Sequence, residues 1–128
     1  EMSDAEEFLS ALYHSLRASR RRRVVQILDA EDDELFSTRK LAKKISGIEQ
    51  GVPETRATGE PYRNAYNALS QTHLPTLAEA EIVIYDPERQ IVSRGSNFEL
   101  AVLLLVINAP AVSLFSSLTT PDQEYEEN

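Results

Sequence analysis

Residues 82–94 read Ile82-Val83-Ile84-Tyr85-Asp86-Pro87-Glu88-Arg89-Gln90-Ile91-Val92-Ser93-Arg94, and the reading of this stretch decides the fold. Two β-rich runs, Ile82 to Tyr85 and Ile91 to Ser93, flank a polar tip with a proline in it, the pattern of a β-hairpin. The residues before it are spaced as helices. Pro61 suits the first position of a helix that continues to about His73, where Pro75 ends it. Thr76 with Glu79 has capping-box spacing and opens one further turn through Ala80. Upstream, Gly51 to Glu60 reads as a loop. Before the loop, Leu41, Ile45 and Ile48 form the inward stripe of a helix capped by Ser37 or Thr38, with Arg39, Lys40, Lys43 and Lys44 outward. Leu35-Phe36 is short and apolar, consistent with a brief strand.

Nearer the N-terminus, Ser19 is the expected cap of a helix with Val24, Ile27 and Leu28 inside, ending near Ala30. The acidic run through Glu34 reads as a solvated loop. Ser3 with Glu6 forms another capping box, opening a first helix from Asp4 to about Arg17 along Phe8, Leu9, Leu12, Tyr13 and Leu16. Beyond the hairpin, Ser96 with Glu99 predicts the start of an apolar helix from Asn97 to about Leu118. The predicted order is helix, helix, strand, helix, helix, hairpin, long helix, with no internal repeat. That order is the winged helix-turn-helix plan: mainly α with a small β-hairpin wing, and a long C-terminal dimerisation helix. Residues 1–96 would form a DNA-binding domain, 97–118 the dimerisation helix and 119–128 an acidic tail.

The terminal helix sets the oligomer. Leu100 to Ile107 reads LAVLLLVI, and a helix apolar on every face must be buried on every face. One small domain covers one side, so a second copy is expected to cover the other. Leu9, Leu12, Leu100, Leu103, Leu104, Ile107, Leu114 and Phe115 are the expected interface residues of a homodimer. A membrane span is the rival reading, but Glu99, Asn108 and Pro110 interrupt the stretch and no basic flank follows it.

Composition narrows the function. The 128 residues suit a single domain of ordinary core, and 41% hydrophobic content argues against wholesale disorder. Without cysteine there are no disulfides, thiolate metal sites or thiol nucleophiles. His14 and His73 are too few for the usual zinc sites, and no glycine pattern cradles phosphate. No nucleophile, base and orienting group can be assembled, so an enzyme is not expected, nor a cofactor. Met2 reads as the natural start, with Glu1 a leftover ahead of it. The first twenty residues lack a basic start followed by an apolar stretch, so a cytoplasmic protein is predicted.

A net charge of -8 argues naively against nucleic acid. The acids are bunched, however, at the two ends and in Asp29 to Glu34. Residues 17–28 carry five arginines and no acid, and residues 35–78 carry six basic groups against three acids. An acidic chain with a basic middle remains a candidate for double-stranded DNA. On the fourth helix Tyr62, Ala65, Tyr66, Leu69 and His73 fall on one side, and Arg63, Asn64, Asn67, Ser70 and Gln71 on the other. Arginine can donate twice to guanine, and asparagine or glutamine can pair with adenine. Any surface helix has a polar face, so this chemistry gains meaning only within the winged-helix order.

Arg20 to Arg23 occupy a first helical turn, where the macrodipole disfavours cations. Their negative partner is either DNA phosphate or the acidic run Asp29 to Glu34, and four consecutive residues cannot all point one way. Arg89 and Gln90 at the wing tip, with Arg94 behind them, could meet the minor groove or phosphates. The expected DNA-contact set is Arg20, Lys40, Arg56, Tyr62, Arg63, Asn64, Tyr66, Asn67, Gln71, Arg89, Gln90 and Arg94.

Three segments carry a family resemblance: Ser15 to Val24 (SLRASRRRRV), Leu41 to Ile45 (LAKKI) and Gln71 to Leu77 (QTHLPTL), followed by Tyr85-Asp86 at the wing. The chain resembles, over roughly Phe8 to Leu118, small PadR-like winged-helix regulators of haloarchaea, among them an oxidative-stress regulator. The resemblance implies a dimeric DNA-binding transcription factor with the terminal helix at its interface. Three lysines against ten arginines, among many acids, is also the balance expected in a very salty cytoplasm. There, cations held between acidic protein and DNA are expected to be taken up on binding. The alternative function is a protein-interaction module on the same scaffold, and a third is a ligand-sensing repressor. With no cysteine and Met2 the only methionine, direct thiol sensing of oxidants is excluded.

Overall fold

The computed structural model describes residues 3–107. Its elements are α1 (Asp4–Ser15), α2 (Ser19–Ala30), β1 (Phe36–Ser37), α3 (Thr38–Gln50), a 3-10 turn at Glu54–Arg56 and α4 (Gly59–Ala68). A π turn at Leu69–His73, α5 (Leu74–Glu79), β2 (Val83–Asp86) and β3 (Ile91–Arg94) follow. A last helix, α6, covers residues 98–107. The fold is mainly helical with one small antiparallel sheet of order β1-β3-β2, compatible with a winged helix. The predicted continuation of α6 to Leu118, and Leu114 and Phe115 with it, lie outside the described residues, as does the acidic tail.

Local signals explain the element starts. Ser3 accepts from the Glu6 amide and Glu6 returns the bond, so the capping box opens α1 as expected. Ser37 caps α3 through the Lys40 amide. Gly51 closes α3 with φ +73, a conformation that a Cβ would penalise. Three predicted caps differ. Ala18, not Ser19, precedes α2, and makes no side-chain cap bond. Thr76 lies within α5. Ser96 donates to Glu81 at 2.9 Å rather than joining Glu99, and Asn97 Nδ2 bonds the Ala80 carbonyl. These last two bonds fasten the entry of α6 to the end of α5. Pro61 falls two residues inside α4, which starts at Gly59.

Pro75 does not end the helix. The Leu74 amide bonds the Leu69 carbonyl across a wide π turn, and the chain continues helically through Glu79. Proline has no N–H to give and its ring crowds the preceding turn. A widened turn just before it removes the conflict. It also holds back the helical rotation, so Leu74 and Leu77 are buried in the same core as Ala65, Leu69 and His73.

One core joins the elements, with Leu12, Val24, Leu28, Phe36, Leu41, Ile45, Leu69, Leu77, Val92 and Phe98 among its members. In the sheet Phe36 and Tyr85 both stand opposite Val92. Leu12 and Leu104, expected at the dimer interface, are instead buried within the chain, because α1 and α6 turn those residues onto the same core. Leu100 is partly buried against it. Ile48, expected inside, is half exposed. It sits over a depression between α2 and α3, where Gln26, Ile27 and Ala30 leave it uncovered. Among the described residues no helix is long and apolar enough to cross a membrane.

Candidate nucleic-acid interface

The side of α4 that faces outward is the one its spacing predicts. Arg63, Asn64, Asn67 and Gln71 are exposed, Ala65, Leu69 and His73 are buried, and Tyr62 and Tyr66 are half-buried. Among the described residues the side chains of Arg63, Asn64, Asn67 and Gln71 form no hydrogen bond or ion pair. The groups able to reach a base edge are therefore uncommitted.

Packing holds this face in place from three sides. α3 packs extensively on α4. Lys43 bonds the Ala57 carbonyl at 3.3 Å and places its ammonium 5.1 Å from the centre of the Tyr62 ring. From the hairpin, the Tyr85 hydroxyl lies 3.3 Å from the Ser70 carbonyl and 3.1 Å from Gln90 Oε1. Behind the π turn, the Arg21 guanidinium meets His73 Nδ1 at 3.2 Å and donates to the Ser15 carbonyl at 2.7 Å. Arg21 is 7% and His73 3% exposed. Arginine only donates, so His73 Nδ1 is the acceptor and Nε2 carries the proton. This buried contact ties the end of the α4 helix to α1 and α2.

The arginine run is mostly spent on the fold. Arg20 makes a two-pronged bond to Glu49 at 2.8 Å, which holds its pKa above the usual arginine value. Arg21 and Arg22 donate to carbonyls at the end of α1, Ser15, Leu16 and Arg17, satisfying groups that a helix C-terminus leaves open. Arg94, placed at the wing by sequence, turns inward. It donates to the carbonyls of Leu28, Glu31 and Asp33 and lies over the rings of Phe36 and Phe98. Lys40 reaches Asp33 at 3.5 Å and lies over Phe36.

The hairpin tip is braced by its own polar groups. Asp86 accepts from the amides of Glu88 and Arg89, and Gln90 takes φ +57. Gln90 Nε2 donates to the Pro87 carbonyl at 2.9 Å while Oε1 faces Tyr85. Gln90 is thereby committed within the hairpin, whereas Arg89 beside it is exposed. Arg39, Arg56, Arg63 and Arg89 are the exposed arginines from α3 to the hairpin, and among the described residues none has an ion pair or hydrogen bond on its side chain. The Thr38 amide bonds the Gln90 carbonyl at 3.0 Å, so Arg39 and Arg89 sit at adjoining ends of α3 and the hairpin.

Of the twelve sequence-predicted contact residues, Arg56, Arg63, Asn64, Asn67, Gln71 and Arg89 are exposed and uncommitted. Tyr62 and Tyr66 stand half-buried beside them. Arg20, Arg94 and Gln90 are drawn into the fold, and Lys40 is partly engaged. Arg39 belongs with the exposed group; its outward helical position was the available signal.

Lys44 bridges Glu54 at 2.7 Å and Glu31 at 3.5 Å. The bond to Glu54, more than the opposing burial, raises its pKa above the ordinary 10.5. A raised folded-state pKa contributes stability that is complete below the unfolded value and is lost as pH rises through the folded one. Melting followed from about pH 9 upward should therefore show a declining component that Lys44→Met lacks.

Among the described residues no group of three or more His, Asp or Glu side chains is placed to hold a metal ion. In comparison with known proteins, the model of a family described as Domain of unknown function (DUF7344) matches residues 13–93, more than half of the chain, and the chain belongs to that family. No curated protein and no solved structure matches it.

Proposed function

We propose that this member of the DUF7344 family is a sequence-specific DNA-binding transcriptional regulator with a winged helix-turn-helix, acting as a homodimer on a pseudo-palindromic site. The observation that carries the reading is the outward face of α4. Among the described residues, four with base-reading chemistry stand there uncommitted, with unpaired Arg39, Arg56 and Arg89 on the neighbouring segments. Arg63, Asn64 and Asn67 discriminate bases, and the flanking arginines position the protein on phosphates. In this reading α3 and α4 are the helix-turn-helix and β2–β3 the wing.

Dimerisation is supported by apolar side chains left open on the two outer helices. Phe8, Leu9 and Tyr13 on α1, and Leu103, Val106 and Ile107 on α6, are between 41% and 67% exposed. Carbon surface of this kind is covered favourably by a second copy. A two-fold dimer sets its reading helices about one DNA turn apart, roughly 34 Å. The resemblance to haloarchaeal PadR-like regulators extends the proposal to a cytoplasmic protein of a halophilic archaeon, with a role in oxidative stress. Any oxidant signal then reaches it by a route other than a thiol, since the chain has no cysteine.

Selection of bound sequences from a random duplex pool, at low and at multimolar potassium chloride, tests the proposal. A palindromic motif enriched at high salt is expected. The net charge of -8 around the basic face further predicts a shallow or inverted salt slope, because cations enter the interface instead of leaving it. The steep loss of affinity usual for protein–DNA contacts would overturn cation uptake. No enrichment at either salt would transfer the reading to a protein-interaction module.

A further inference from the structure

Tyr62 and Tyr66 stand one helical turn apart on α4, with ring centres 6.1 Å apart and planes inclined at 55°. Both pack on the core along one edge. Together with Arg63 and Asn67 they line a shallow depression open to solvent. Among the described residues the hydroxyls of Tyr62 and Tyr66 make no hydrogen bond, and the Lys43 ammonium is set against the Tyr62 ring. Core packing accounts for the buried edges of the rings. It does not account for an apolar floor exposed between them, rimmed by an arginine and an asparagine free to donate.

Resting on the reading that α4 enters a DNA major groove, we propose that this depression receives the 5-methyl group of thymine. The base edges of the major groove present hydrogen-bond donors and acceptors and one apolar group, that methyl. A floor of two aromatic rings offers it carbon contact. Asn67 on the rim has the two-point geometry for adenine, so rings and amide together read a single A·T pair from both bases. Arg63 lies four residues earlier, about 6 Å along the helix axis. With base pairs stacked about 3.4 Å apart, its guanine falls one or two steps from that pair. Each half-site therefore contains a guanine and, one or two steps on, a thymine recognised by its methyl.

The test uses the whole protein and the duplex recovered by selection, with each thymine replaced in turn by uracil, which deletes the methyl and nothing else. Affinity measured by fluorescence anisotropy is expected to fall about fourfold for one position in each half-site, the worth of one buried methyl-sized group. Tyr62→Ser and Tyr66→Ser, verified as folded by their melting curves, should bind thymine and uracil duplexes alike. Uracil tolerated at every position overturns the inference and leaves the DNA-binding reading standing. So does a uracil penalty that survives in both folded variants, since another group must then read the methyl. If no duplex is bound at all, the DNA-binding reading fails and this inference with it.

Discussion

Arg63→Ala is expected to cut sharply the preference for the selected duplex while leaving the melting temperature where it was. The side chain is exposed and, among the described residues, makes no hydrogen bond or ion pair. Surface truncations of this kind usually change stability by less than about 0.5 kcal/mol. In the proposed complex the same guanidinium makes two parallel bonds to guanine, worth about 1–3 kcal/mol of discrimination. A homodimer loses it twice, so the specific complex weakens by roughly 30-fold at the least and beyond 10⁴-fold at the most. Binding to random duplex, which rests on phosphate contacts, falls much less. Arg89→Ala supplies the contrast: on the hairpin tip it should lower affinity for all sequences by similar factors. Specific and random duplex measured side by side for both variants decide the matter. An Arg63→Ala protein that keeps its full preference would remove α4 as the reading helix.

Arg94→Ala should do the reverse, damaging stability and sparing sequence preference. Its guanidinium closes the end of α2, taking the carbonyls of Leu28, Glu31 and Asp33, and lies over Phe36 and Phe98. Truncation leaves partly buried carbonyls without their charged donor, each such bond being worth about 1.5–3 kcal/mol and the set less than additive. It also uncovers two core aromatics. A net loss of about 3–4 kcal/mol is expected, lowering the melting temperature by about 10 °C or more. Arg94→Lys should recover part of this, because an ammonium keeps the charge but not the planar fork that reaches several acceptors at once. At a temperature where the variant is folded, it should still choose the same duplex. A normal melting curve with weakened binding would instead return Arg94 to the DNA-contact set.

These two arginines show where reading the chain succeeds and where it stops. Arg63 could be assigned from spacing, since a helix with Ala65, Leu69 and His73 inside must carry Arg63, Asn64, Asn67 and Gln71 outside. Arg94 could not. As the last residue of a strand behind a polar tip that carries Arg89 it resembles a phosphate contact, and its true acceptors lie more than sixty residues away. Arg20 is the same case, its fork closing on Glu49 in the next helix. Leu12 and Leu104 repeat it for apolar residues: helical spacing marks them as needing burial but does not say whether their own core or a second copy supplies it. Pro75 shows the converse, a local rule overridden. The rule that proline ends a helix holds unless the chain can widen the preceding turn, and buried Leu74 and Leu77 make widening favourable.

The amino-acid sequence by itself determined the order of elements, the hairpin, the cap at Ser3, a cap at Ser37 or Thr38, and the polar composition of the outward face of α4. All of these follow from contacts within about a turn of helix or across one tight hairpin, which periodicity and residue type encode directly. Only the tertiary structure decided which cations are free, which apolar residues stay uncovered, and how Arg21 and His73 lock the π turn behind α4. Those outcomes depend on groups far apart in the chain arriving within hydrogen-bonding distance of one another. A long charged side chain such as arginine reaches whichever partner the packed helices bring closest, and only packing determines which that is.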